Sequence, residues 1–449
     1  MHRELLVSRW WVQGALLVFV IGFGILGVLA YRTYTASPPL PAEVVDPAGR
    51  AVFTRDDILS GQELFLQRGL MEYGSVFGHG GYLGPDFTAD YLRRSGRFIA
   101  RRNGEPEDQG GPRTWAELRE NRYDPASGRL AYTAGQTEAF AELERELGAF
   151  FAQPSRATGL SPSVISSPQD LHQLTAFFAW SAWAAAARRP DAEYSYTNDW
   201  PPEPLVRNHP TGPMVVWSVL SLIALLAGTG LLFAAFGRWR FLGWQGREAR
   251  TLSFRTPGEV PLTRSQRATG WFFLVMTLLF LAQTLVGGAS QHYRAELADF
   301  FGFNLAALLP FNLVRTWHVQ LAIFWVATSF LAAGIFLAPM IAGREPRNQH
   351  VLAYGLLGAL AVVVVGSAAG EFAGIHGLTR SIWFGNQGFE YLDLGRFWQV
   401  LLVIGLFAWV AILYRTLRPR LATEHLGNMP WLFFFAALAI PAFYAVGLL

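Results

Sequence analysis

Long apolar runs alternate along this chain with one long polar stretch. The first run follows Arg3 and Arg9 and continues to about Tyr31. Six more lie near 214–236, 268–290, 312–341, 351–371, 397–414 and 431–449. Each is long enough, or nearly so, to carry a helix through a ~30 Å hydrocarbon layer. Between the first and second runs the sequence is polar and punctuated by Gly and Pro, with helical periodicity at 56–69, 88–101, 137–151 and 168–188. Several of these patterns begin at Asp, Ser or Thr, the residues that cap helix N-termini. The segments GHGGYLGPD (78–86) and YTNDWPPEPLVRNHPTGP (196–213) have loop chemistry. The pattern therefore predicts a mostly α protein. It has an anchor over 1–32, an extracytoplasmic domain over 33–212 and a six-span membrane bundle over 213–449, with seven spans in all.

Composition narrows the class. With 52% hydrophobic and 15% charged residues, the chain is too apolar for a soluble protein of 449 residues. Every basic residue is Arg, and the arginines gather in short loops beside the apolar runs. Arg238, Arg240, Arg247 and Arg250, then Arg344 and Arg347, then Arg415, Arg418 and Arg420 all fall in loops on one side of the membrane if the first run points outward. Positive charge marks the cytoplasmic side. The sequence thus predicts a multi-pass membrane protein with a cytoplasmic N-terminus and an extracytoplasmic domain. The first run reads as an uncleaved anchor, with a signal peptide as the alternative. Arginines placed this way do not form a nucleic-acid surface. Cysteine is absent, which excludes disulfides, iron–sulfur clusters, thiolate metal sites and covalently attached haem. The spans lack the paired Gly/Pro-broken segments of a transporter.

Some polar residues stand out against this background. His318 lies near the start of the run FNLVRTWHVQLAIFWVATSFLAAGIFLAP (311–339), after Arg315 and Trp317. A neutral imidazole fixed on a membrane helix suits an axial position on haem iron; the alternative is a hydrogen bond to a neighbouring helix. His292 and Glu296 share a helix face if the third span continues past the membrane. Such a pair could bind quinol hydroxyls and accept their protons, or be a solvated interfacial pair. Glu371 and His376 end the fifth span, and GNQGFEYLDLGRFW (385–398) follows with Glu390 and Asp393 among glycines. These oxygens suit a hard cation such as calcium, or cap the sixth span.

Four stretches together resemble the quinol-dependent nitric oxide reductases of the haem–copper oxidase superfamily. They are GQELFLQRGLMEYGSVFGHGGYLGPDFTADYLRR (61–94), FFAWSAWAAAARRPDAEYSYTNDWPPEPLVRN (177–208), the His318 run and GNQGFEYLDLGRFWQV (385–400). The resemblance implies that the extracytoplasmic domain is a cytochrome c-like domain lacking haem. It implies that His318 is one axial ligand of a low-spin haem b, and that His292 and Glu296 bind quinol. Gly80 through its carbonyl, Tyr82 and Glu390 would hold a calcium ion, and Glu371 would lie on a proton path. The implied reaction is 2 NO + 2 e⁻ + 2 H⁺ to N2O and water. One departure is large: the family's non-haem iron ligands, the ligand of its high-spin haem and the second low-spin ligand are not among these residues. The sequence is therefore expected to be the N-terminal, electron-entry portion of such an enzyme, completed by a C-terminal half or a split partner and inactive alone. A homodimer, a nitric oxide dismutase relative, and a non-catalytic quinol- and haem-binding membrane protein are the other readings that the resemblance allows.

Overall fold

A computed structural model describes residues 9–162, 164–165, 167–238, 261–297, 302–389, 392–424 and 428–448. Among the described residues seven helices are long and apolar enough to cross a membrane. Helix α1 (Arg9–Thr35) leads into the extramembrane domain. There β1 (Glu43–Val45) and β2 (Ala51–Thr54) precede α2 (Arg55–Gln67), the short α3 (Leu70–Tyr73), α4 (Phe87–Asn103) and α5 (Pro112–Arg119). Strands β3 (Tyr123–Asp124) and β4 (Arg129–Ala131) are followed by α6 (Ala134–Phe151), the short α7 (Ser155–Thr158) and α8 (Pro168–Ala186). The bundle then consists of α9 (Gly212–Arg238), α10 (Arg264–Glu296), α11 (Phe311–Ala342), α12 (Gln349–Ile375), α13 (Arg396–Thr423) and α14 (Met429–Gly447). A two-stranded ribbon of β5 (Asn386–Phe389) and β6 (Leu392–Leu394) joins α12 to α13.

The predicted helices of the domain form within a few residues of their periodic segments because their ends are capped. Thr54 with Asp57, Thr133 with Gln136 and Thr263 with Gln266 make capping boxes at α2, α6 and α10. Ser167 caps α8, whose first residue is proline. The bundle helices overrun their apolar runs. At 33 residues α10 is about 50 Å long, well beyond a ~30 Å hydrocarbon layer, so its last turns emerge toward the domain.

The sequence pattern did not predict the strands. Four of them form a small sheet in the order β2-β1-β4-β3, with β1 parallel to β4 and the other pairs antiparallel. They escape a periodicity search because each is two to four residues long. What makes the first hairpin is local: Asp46 Oδ1 accepts from the N–H groups of Ala48 and Arg50, and Gly49 takes a positive φ.

Aromatic rings fill the space between α2, α4 and α8. Phe87 and Phe178 stack nearly parallel with centroids 4.6 Å apart, and Phe65 meets both edge-on. The same apolar core continues into the bundle through Tyr293, Phe311 and Val314. The seam is also tied by polar contacts. Arg68, buried at the end of α2, donates to the carbonyl of Gly374 in α12 (3.0 Å), and its own carbonyl accepts from Asn312 Nδ2 (2.5 Å). Gln67 Nε2 donates to the carbonyl of Arg380 (2.7 Å), and Arg380 pairs with both oxygens of buried Asp170. Gly388 has a positive φ and lies so close to the Leu66 carbonyl that a side chain there would collide with it.

Candidate functional site

Helices α10 and α11 pack side by side, and His318 sits between them. Its ring lies against Gly287, where a Cβ would come within 2.6 Å of the imidazole. Nδ1 is 2.9 Å from the backbone carbonyl of Gln283, so that nitrogen carries the proton and donates. Nε2 is left as the acceptor, with the Gln283 side-chain amide near it at 3.4 Å, a contact at the limit of hydrogen-bond length. The hydrogen bond to a neighbouring helix therefore exists, and it uses only one ring nitrogen. A metal-bound histidine commonly donates its second N–H to a carbonyl, which fixes tautomer and ring direction. The donor set at His318 would fit a metal bound through Nε2, with the Gln283 amide, on a rotatable stem, as the group to be displaced.

One turn before His318, Arg315 reaches out of the bundle into the extramembrane domain. Its Nε is 3.2 Å from Glu72 Oε2, and Glu72, on α3, is fully buried. The same guanidinium lies 3.9 Å over the ring of Tyr82. Below it Gln320 Nε2 donates to Asp393 Oδ2 (3.1 Å), and Glu371 on α12 is 1% exposed. Glu72, Glu371, Asp393 and Arg315 thus form one buried charged cluster at the seam. Burial holds the Asp393 carboxyl well above the usual carboxylate range; the charges of Glu72 and Glu371 add to this, while Gln320 and Arg315 oppose it.

His292 and Glu296 occupy the last turn of α10. Their side chains face each other with Nδ1 3.4 Å from Oε2, and both are roughly half exposed. The helix does continue past the apolar run, so the two share a face. Gly80 and Tyr82 lie on the loop between α3 and α4. Gly80 has φ +101 and open space where a Cβ would stand. Gly80 and Tyr82 offer only neutral oxygens, so a calcium held there would draw on a carboxylate besides them. Glu390 lies outside the described residues. Among the described residues no group of three or more His, Asp or Glu side chains could hold a metal ion.

Sequence reasoning did not single out Glu72, Arg68, Gln283 or Gln320. The two glutamines carried a usable signal, since each is an amide inside an apolar run. Glu72 and Arg68 carried none, because charged residues in a polar domain are ordinary until the docking partner is known.

Residues 41–202 match the family model of the cytochrome c-like domain of the nitric oxide reductase NorB. Residues 267–449 match that of cytochrome C and quinol oxidase polypeptide I. Gly80, Tyr82 and Glu72 fall in the first match, and His292, Glu296, His318, Glu371 and Asp393 in the second. The chain is also similar to the nitric oxide reductase NorB of Stutzerimonas stutzeri, at 27% identity over 133 residues. That alignment covers 29% of this chain and 27% of the relative, so the chain spans about a quarter of that protein's length. A multi-pass helical bundle behind a cytochrome c-like domain, with both family models in tandem, makes this chain a NorB-like relative of the haem–copper oxidases.

Proposed function

We propose that this chain is the electron-entry portion of a quinol-oxidising nitric oxide reductase, acting in the bacterial inner membrane with the extramembrane domain on the periplasmic side. The observation that carries this reading is the His318 ring, which commits Nδ1 to the Gln283 carbonyl and keeps Nε2 for a ligand. A low-spin haem b supplies one-electron relay chemistry when bound.

The chain's own residues do the rest. Quinol hydroxyls at the headgroup level would bind His292 and Glu296, which are placed at the end of α10 to accept two protons as the electrons leave. Arg315, held by Glu72 and Tyr82, fixes the turn of α11 that leads to His318. Gly80, Tyr82 and Glu390 would hold calcium at the same seam, and Glu371 would help to pass protons toward the site of nitric oxide reduction. That step, two NO to N2O and water, belongs to the assembled enzyme with its high-spin haem and non-haem iron.

Reduced-minus-oxidised spectra of the protein in its native membrane assembly test the reading. The wild type is expected to show a low-spin b-type signal that His318→Ala abolishes. An unchanged spectrum in the variant overturns the ligand assignment and the electron route with it.

A further inference from the structure

An apolar groove of about 860 Å³ runs between α12 and α13, open to the outside of the bundle formed by the described residues. Its walls are Val351 to Val363 on α12 and Leu401 to Arg415 on α13. Gly355 and Gly405 leave open space on it, with no heavy atom within 4 Å of where a Cβ would stand. The helical rise over these stretches gives a length of about 18–21 Å, nearer to one leaflet than to a ~30 Å bilayer core.

The groove is closed at one end and charged at the other. Toward the extramembrane domain the six-membered ring of Trp398 packs against Gly366 and closes the space between the two helices, pinned by the indole hydrogen bond to the Phe384 carbonyl (3.1 Å). At the opposite membrane face Arg415 lines the mouth. Arg415 donates to Gln349 Oε1 (3.2 Å) and to the Arg347 carbonyl (2.8 Å), which are neutral acceptors. No carboxylate pairs with it among the described residues, and Arg347 and Arg418 are also exposed near this face.

These features decide between occupants. A membrane-spanning helix needs a groove that runs the full depth, and Trp398 stops this one short. An acyl chain needs a slot about one leaflet long that opens where its headgroup lies. A cation at that opening selects a negative headgroup. We propose that the α12–α13 groove binds one chain of an anionic glycerophospholipid from the leaflet opposite the extramembrane domain, with its phosphate at Arg415.

The test is lipid retention by the purified full chain, read by native mass spectrometry after exchange into mild detergent. Phosphatidylglycerol and phosphatidylcholine of equal chain length are offered in equal amounts. The wild type is expected to hold one phosphatidylglycerol per chain and to prefer it about fivefold, the worth of one arginine at an anionic surface. Arg415→Gln should keep a lipid but lose the preference. Gly405→Leu, which fills the slot, should lose the lipid while eluting as the wild type does. Absence of preference in the wild type overturns the proposal without reference to any variant. So does full retention by a well-folded Gly405→Leu protein, or recovery of the groove blocked by a second polypeptide.

Discussion

Three residues apart on α11, Arg315 and His318 face different neighbours: one points into the extramembrane domain, the other onto α10. The half-exposed pair at the end of α10 is a further such arrangement. If His292 and Glu296 take the two quinol protons as proposed, neutralising one should slow proton uptake from quinol without touching electron transfer from other donors. Glu296→Gln is expected to lower quinol-driven turnover about 100-fold, within the usual contribution of a positioned base, while turnover with an artificial electron donor is unchanged. Equal loss with both donors removes the quinol assignment. At this scale the sequence was legible where a polar residue interrupts an apolar run or where two residues fall four apart, as with His318, His292 and Glu296. It was silent on Glu72, whose partner Arg315 lies more than two hundred positions away and becomes a neighbour only in the folded protein.

The α10–α11 pair shows what an element contributes beyond its residues. Gly287 lets α11 approach closely enough for the imidazole to reach the carbonyl one turn back on α10. A leucine at 287 must push the ring away from Gln283, releasing the tautomer. Gly287→Leu is therefore expected to cut haem occupancy as deeply as His318→Ala does, with the helical content retained, as judged by absorbance and circular dichroism. Gly334 plays the corresponding part on the other side of α11, where a Cβ would stand 2.5 Å from the Trp409 indole. Unbroken apolar runs marked the seven long helices of the described residues because each is long enough, or nearly so, to cross a hydrocarbon layer, yet they could not say which glycines were contacts and which were open. Nor could they find the four-stranded sheet, whose strands are too short to alternate and are fixed by turn residues such as Asp46 and Gly49.

For the molecule as a whole, the seam between domain and bundle buries carboxyl groups whose protonation is tied to folding. Asp393 is fully buried with its carboxyl raised, so the folded state binds its proton more tightly than the unfolded chain does. By linkage, the stability from this group is complete below the ordinary aspartate value of ~3.9 and is lost as pH rises from there toward the raised folded value. Asp393→Asn, which keeps the shape and the Gln320 contact, is expected to melt higher than the wild type at pH 8, with a narrower gap at pH 5. A gap that is the same at both pH values would mean that the carboxylate is fully compensated. Loss of the Glu72 carboxylate acts on Arg315 instead. Glu72→Gln leaves Arg315 without its buried partner and is expected to cost about 3–5 kcal/mol, seen as a lowered melting temperature at neutral pH.

The buried Arg68 has one more implication, for biogenesis. Its acceptor, the Gly374 carbonyl, is made 306 residues later, at the far end of the fifth span. At ~5–20 residues per second, synthesis of that interval takes about 15–60 s. Throughout it the newly made domain presents a guanidinium and an apolar rim that only a later helix can cover. Its docking face is then a waiting surface, covered only once α12 has been made.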